Sequence, residues 1–185
     1  SFCGIADARG GLAVVSPGGL HEYAVLQTPE RELALTLFRS FRKTVFRPEE
    51  PDGQLAGPME FEYALVPFAG APDAPRLLHL AAAMQVPVRF HATAGPVSTK
   101  SFLSLCRGAA VVTAVKPAEH GQGGIVRFWN PTGKAIDDAF STLRPVVSAW
   151  YCNLNEEPGT AIEVKDGVVP VRVPAGGIST VRFTW

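Results

Sequence analysis

The closing stretch Val168-Val-Pro-Val-Arg-Val-Pro-Ala-Gly-Gly-Ile-Ser-Thr-Val-Arg-Phe-Thr-Trp185 decides the fold class. Val169, Val171 and Val173 fall on one side of an extended chain, and so do Val181, Phe183 and Trp185. Arg172, Arg182 and Thr184 occupy the opposite positions. A period of two is the signature of a half-buried β-strand, because successive side chains leave a strand on opposite faces. The two runs are separated by Pro174-Ala-Gly-Gly177, whose residues favour a turn. Pro170 has no amide proton to give a ladder, so it marks an edge strand or a bulge.

The same pattern repeats upstream. Residues 102–105, 109–115, 125–129, 139–143, 149–154 and 161–164 are short apolar runs bounded by turn residues. Regular short strands with alternating faces predict an antiparallel sandwich with one wet face per sheet. In the first half, residues 11–15, 21–26 and 33–38 read as strands, the last with Leu33, Leu35 and Leu37 on one face. Residues 47–58 read as a Pro-rich acidic loop. The alternation of Met59, Phe61, Tyr63 and Leu65 against Glu60 and Glu62 predicts a strand over 59–66, ended by Pro67 and Gly70. Residues 76–84, rich in Leu, Ala and Met after Pro75, predict one short helix stopped by Pro87. The polar stretch 91–100 reads as a linker. The expected fold is all-β, with a first domain over 1–95 and a second sandwich over 96–185.

Composition narrows the function. Lys plus Arg and Asp plus Glu both number 17 in 185 residues, so the net charge is zero. Without a basic excess there is no drive to bind a phosphate backbone, and nucleic acid is not expected as a partner. No run of about 18 apolar residues is present, so no membrane span is expected. Gly (18) and Pro (16) stand well above average usage and are spread as turns, which again favours β structure. Cys3, Cys106 and Cys152 are odd in number and widely spaced, which argues against a disulfide framework or a zinc site. The odd count favours a reducing compartment, here the cytoplasm. The chain opens at Ser1 without the charged and apolar stretches of a signal peptide, and reads as cut from something longer.

Candidate chemistry is sparse. His21, His79, His91 and His120 are far apart and make no HExxH or HxH pattern. No GxGxxG, P-loop or GxSxG is present. Glu60 and Glu62 would lie about 6.7 Å apart on one strand face, between the separations used by retaining and inverting glycosidases. A solvated strand face is the commoner meaning of such a pair. Glu156-Glu157 before Pro158 reads as a solvated turn pair. Arg39, Arg42, Lys43 and Arg47 form a basic cluster suited to an anion or to another domain's carboxylates, or simply to solvent. Trp129, Trp150 and Trp185, with Tyr151, could present a platform for sugar rings or pack in a core.

In order, the segments resemble a known family. They are Gly11-Leu-Ala-Val, Gly19-Leu-His-Glu-Tyr23, Leu35-Thr-Leu-Phe-Arg39-Ser40 and Gly57-Pro-Met-Glu-Phe61-Glu-Tyr63-Ala-Leu-Val-Pro67-Phe-Ala-Gly70. Val115-Lys116-Pro117-Ala118-Glu119, then Gly124-Ile-Val-Arg127-Phe-Trp-Asn130-Pro131, Asn153-Leu154-Asn155-Glu156 and Pro174 to Phe183 follow. Together they resemble the C-terminal β region of family 38 glycoside hydrolases, the α-mannosidases, over nearly the whole chain. Two departures are the length of the 47–58 loop and Phe68, which stands where the family usually has His.

The resemblance implies the later part of a galactose-mutarotase-like super-sandwich followed by a smaller terminal sandwich. It also implies zinc-dependent retaining glycosidase chemistry in the parent protein. The zinc ligands and the aspartate nucleophile would lie in an N-terminal catalytic domain, so no catalytic residue, metal or other cofactor is expected in this chain. The expected partner is that catalytic domain, with carbohydrate as a second possibility through Trp129, Trp150 and Tyr151. Arg39, by its place in Leu-Phe-Arg-Ser, is assigned an interface or site-edge role. Arg127 and Asn130 are expected to fix local backbone. The leading reading is a non-catalytic supporting domain of a mannoside-degrading hydrolase. The alternatives are a carbohydrate-binding module and, last, a free-standing epimerase using His79 or His91 with a glutamate.

Overall fold

The computed structural model describes residues 1–18, 22–41, 54, 57–97 and 99–185. Among the described residues the strands are antiparallel and a single helix accompanies them, and the chain divides into two compact units, Ser1–Val88 and Arg89–Trp185. His21, Arg42, Lys43, Arg47 and most of the 47–58 loop lie outside the described residues.

The first unit is built on strands β1 (Phe2–Ala6), β2 (Gly10–Val15) and β5 (Ala64–Ala69), in the order β1-β2-β5. Helix α1 (Ala74–Gln85) packs on one face: Leu77 and Ala81 bury against Ala13 and Val15, with Val66, Phe68 and Met84 around them. The helix begins where its chemistry allows. Asp73 caps it by accepting from the Arg76 backbone N–H at 3.1 Å, and Pro75 sits in the first turn, where no amide proton is needed. It ends at Gln85, two residues before Pro87, because a residue preceding proline is pushed out of the helical region. Strands β3 (Glu22–Val25) and β4 (Leu33–Thr36) form a separate antiparallel pair.

Two expectations for this unit need correction. Residues 59–63 are not strand. The strand begins at Ala64 and runs on through Pro67, which pairs with Leu12. Proline is tolerated there because β5 is an edge strand, with only one side bonded. Strand β1 was not foreseen, since Phe2-Cys-Gly-Ile-Ala6 is too short and glycine-broken to show alternation.

The second unit is a two-layer sandwich. One sheet has the order β11-β10-β13-β8-β7 and the other β12-β9-β6. The strands are β6 (Leu103–Leu105), β7 (Val111–Pro117), β8 (Gly124–Trp129), β9 (Ile136–Thr142), β10 (Ser148–Cys152), β11 (Pro158–Ile162), β12 (Val168–Val173) and β13 (Ile178–Thr184). The valine ladder read from the closing stretch is the core face of β12, where Val169, Val171 and Val173 are all buried. They meet Val126, Phe128, Val181 and Phe183 of the larger sheet. Phe140 is central, with ring centroids 5.6 Å from Phe128 and 5.8 Å from Phe183. Pro170 sits on an edge strand, as its chemistry requires, and the ladder to β9 continues through it without a shift. In contrast, β7 carries an irregularity between Val112 and Ala114.

Candidate functional site

Register places two rows of side chains on the face of the larger sheet that points away from the core. One row is Lys116, Ile125, Arg182 and Trp150; the next is Ala114, Arg127, Thr180 and Cys152. By strand geometry the rows lie about 6.8 Å apart. Ile125 is fully buried although it turns away from the core, in the row between Lys116 and Arg182.

In the same row stands an ion-pair cluster. The Lys116 ammonium lies 2.5 Å from Glu119 and 2.5 Å from Glu156. Glu156 also accepts from the Glu119 backbone N–H at 2.8 Å. Arg182 donates to the His120 carbonyl, Arg127 donates to Thr180 Oγ1 at 3.1 Å, and Cys152 lies against the Thr180 carbonyl. These contacts fasten the 118–123 loop and the 153–157 loop onto the sheet.

Glu156 reaches the cluster through an unusual backbone. Its φ is 66°, the left-handed region that costs a residue with a Cβ roughly 1–2 kcal/mol. Asn153 builds the turn that holds it there: its side-chain oxygen accepts from Asn155 N at 3.0 Å and Glu157 N at 3.1 Å, and its carbonyl accepts from Glu156 N at 3.0 Å. The turn drives Glu156 inward to 6% exposure and leaves Glu157 outside. The solvated-pair expectation therefore holds only for Glu157. Backbone periodicity could not reveal this, because the left-handed turn lies outside any strand. The signal available in the sequence was Asn-Leu-Asn, since Asn favours side-chain-to-backbone turns.

Electrostatics follow from these contacts. Glu156 is held below the ordinary carboxylate value, first by the Glu119 N–H and then by Lys116. Lys116 is held above the ordinary lysine value, first by its bond to Glu119 and then by Glu156. The Cys152 thiol is pushed up by burial and, next, by the Glu156 charge. The Glu156 carboxylate, committed to the Lys116 ammonium and the Glu119 N–H, acts as a clamp between the loops and the sheet.

The residues singled out from sequence are dispersed. Arg39 pairs with Glu22 at 2.7 Å, both groups about half exposed, and Thr36 Oγ1 donates to the same carboxylate. Trp129 and Trp150 share the outward face of the larger sheet. They lie in different rows and on different strands, roughly 15 Å or more apart by strand spacing. Tyr151 necessarily turns the other way, and its phenol oxygen accepts from Arg172 N at 2.8 Å, tying β10 to β12. Beside it, Arg172 pairs with Asp137 at 2.8 Å. Tyr151, Asp137 and Arg172 border a cleft of about 320 Å³ that also includes Ile162 and Glu163. Trp185 packs edge-on to Phe102 and Phe183. Glu60 and Glu62 line a separate hollow of about 360 Å³ in the first unit, with Phe61, Tyr63 and Leu35.

Arg127 reaches a side-chain hydroxyl rather than backbone. Asn130 does hold backbone: fully buried, it donates to the carbonyls of Lys134, Val173 and Pro174, and its oxygen accepts from Thr132. Among the described residues no group of three or more His, Cys, Asp or Glu is placed to hold a metal ion. No described helix is long and apolar enough to cross a membrane.

Comparison with known proteins accounts for the arrangement. Residues 109–181 match the family described as "Glycosyl hydrolases family 38 C-terminal beta sandwich domain". The chain is similar to an α-mannosidase from Enterococcus faecalis V583, with 27% identity and a TM-score of 0.76, over 99% of this chain and 20% of that one. It is also similar to a protein in glycosyl hydrolase family 38 from Enterococcus faecalis, with 26% identity and a TM-score of 0.74, over 98% of this chain and 22% of that one. No curated protein matches significantly. The resemblance read from the ordered segments therefore holds along nearly the whole chain, and the fold matches that of a family 38 C-terminal region. The chain spans about a fifth of the length of the solved structures it matches.

Proposed function

We propose that this chain is a non-catalytic C-terminal region of an α-mannosidase-like hydrolase, and that it packs on and supports the catalytic domain. The observation that carries the reading is the superposition of 99% of the chain on a fifth of an α-mannosidase. The first unit is then the later part of a mutarotase-like super-sandwich, and the second the smaller terminal sandwich. The clamp of Lys116, Glu119 and Glu156 stiffens that sandwich and leaves the chemistry elsewhere. Zinc and the nucleophile belong to the catalytic domain, and the whole hydrolase works on mannosides. The odd number of cysteines supports a cytoplasmic location.

The test is direct. Purified 1–185, incubated with an aryl α-D-mannopyranoside with and without added zinc, should release no phenol. The longer hydrolase from the same gene should release it. Turnover by 1–185 itself would overturn the non-catalytic assignment, and an inactive longer protein would overturn the mannosidase assignment.

A further inference from the structure

The two ends of the terminal sandwich are finished differently. At one end Asn130 satisfies the carbonyls of the β8–β9 and β12–β13 connections, and polar groups close the turn. At the other end four large apolar side chains stand together in the open. Phe102 precedes β6, Leu143 and Val147 bracket the β9–β10 turn, and Trp185 follows β13. Their proximity is fixed by bonding. Leu143 N donates to the Phe102 carbonyl, Val147 N donates to the Thr184 carbonyl, and Trp185 Nε1 donates to Thr142 Oγ1 at 3.1 Å. The Phe102 and Trp185 rings meet edge to face at 6.4 Å. Yet Phe102 is 50% exposed, Leu143 52%, Val147 71% and Trp185 42%.

From this apolar end we infer a docking surface whose occupant is the part of the longer hydrolase that this chain does not span. The inference rests on the functional reading above and identifies the surface it uses. The size of the patch selects the occupant. Its exposed apolar area is roughly 400 Å², taking ordinary side-chain areas of about 150–250 Å² for the aromatics. A stable dimer of free copies buries about 800 Å² on each partner, twice what the patch offers. Contacts between domains of one polypeptide bury about 600–1,500 Å² in total, the range this patch reaches when covered. A tether supplies the remaining affinity, because it holds the two surfaces at an effective concentration near millimolar. Val147 is the centre of the argument: it is the most exposed of the four, and its backbone N–H is held by the Thr184 carbonyl.

Hydrogen exchange tests the assignment. Peptides covering 141–148 should exchange at least tenfold more slowly in the longer hydrolase than in 1–185. Val147→Glu should remove that difference in the hydrolase and leave the melting temperature of 1–185 within about 2 °C. Leu143→Lys should act in the same way. Sedimentation of 1–185 should give a monomer. Equal exchange in the two contexts would overturn the inference, as would a dimer of 1–185 that Val147→Glu dissolves. Mannoside turnover is read separately: a hydrolase with no turnover sinks the functional reading, while exchange at 141–148 still decides the surface.

Discussion

Replacing Asn130 with Ala should destabilise the terminal sandwich by about 3 kcal/mol. The amide nitrogen of Asn130 lies 2.7 Å from the Lys134 carbonyl, 2.9 Å from Pro174 and 3.2 Å from Val173. It has two protons, so it supplies about two bonds shared among three acceptors. The side-chain oxygen accepts from Thr132 N at 2.9 Å and Thr132 Oγ1 at 2.7 Å. Four bonds at roughly 0.5–1.5 kcal/mol each give about 2–6 kcal/mol. Groups near solvent recover part of this by hydration, whereas the bond to the Val173 carbonyl is buried and water does not replace it. A value near 3 kcal/mol corresponds to a fall of about 1–3 M in the urea midpoint, for slopes of about 1–3 kcal/mol/M. The assay is urea unfolding of 1–185 followed by tryptophan fluorescence. Asn130→Asp keeps the acceptor and turns a carboxylate oxygen toward three carbonyls, so it should be at least as damaging at pH 7. Thr132→Val removes the hydroxyl that bonds Asn130 Oδ1 and the Lys134 backbone, and should cost about 1–2 kcal/mol. An Asn130→Ala loss below 1 kcal/mol would refute the claim that this side chain closes the turn.

Three further outcomes are expected. Phe140→Ala opens a cavity between Phe128 and Phe183 and should cost about 3–5 kcal/mol by the same unfolding assay; a loss below 2 would mean the two sheets can collapse together. Gly123→Ala should cost about 2–4 kcal/mol, because φ is 102° and a Cβ would stand 2.0 Å from the Phe183 carbonyl oxygen. The clamp sets a pH dependence. Glu156 is lowered from 4.5, so its contribution is present above that value and is lost as pH falls through the lower folded value. Lys116 is raised from 10.5, so its contribution is present below that value and is lost as pH rises through the higher folded one. Stability should therefore hold between about 4.5 and 10.5, and Glu156→Gln should reduce the acid-side loss; an unchanged acid limb in that variant would count against the clamp.

The sequence by itself determined the fold class, because burial on one side of a strand writes a period of two into the residues. Val169, Val171 and Val173 share a face by that period alone, as do Val181, Phe183 and Trp185, and all are core except Trp185, which stays 42% exposed. Pro170 announced an edge or a bulge, of which pairing chose the edge, and Pro75 and Pro87 bracketed the helix, because proline's ring acts locally. The ordered motifs around Lys116, Arg127, Asn130 and Asn153 carried the family resemblance. Tertiary structure alone decided what those motifs do. Glu119 and Glu156 are bonded across 37 positions, and no local period encodes such a contact. Ile125 is buried on the face its alternation assigns to solvent, where its row neighbours are Lys116 and Arg182. The strand expected at 59–66 begins only at Ala64, where a partner on β2 is available, because alternation shows that a segment could form a strand and pairing decides whether it does.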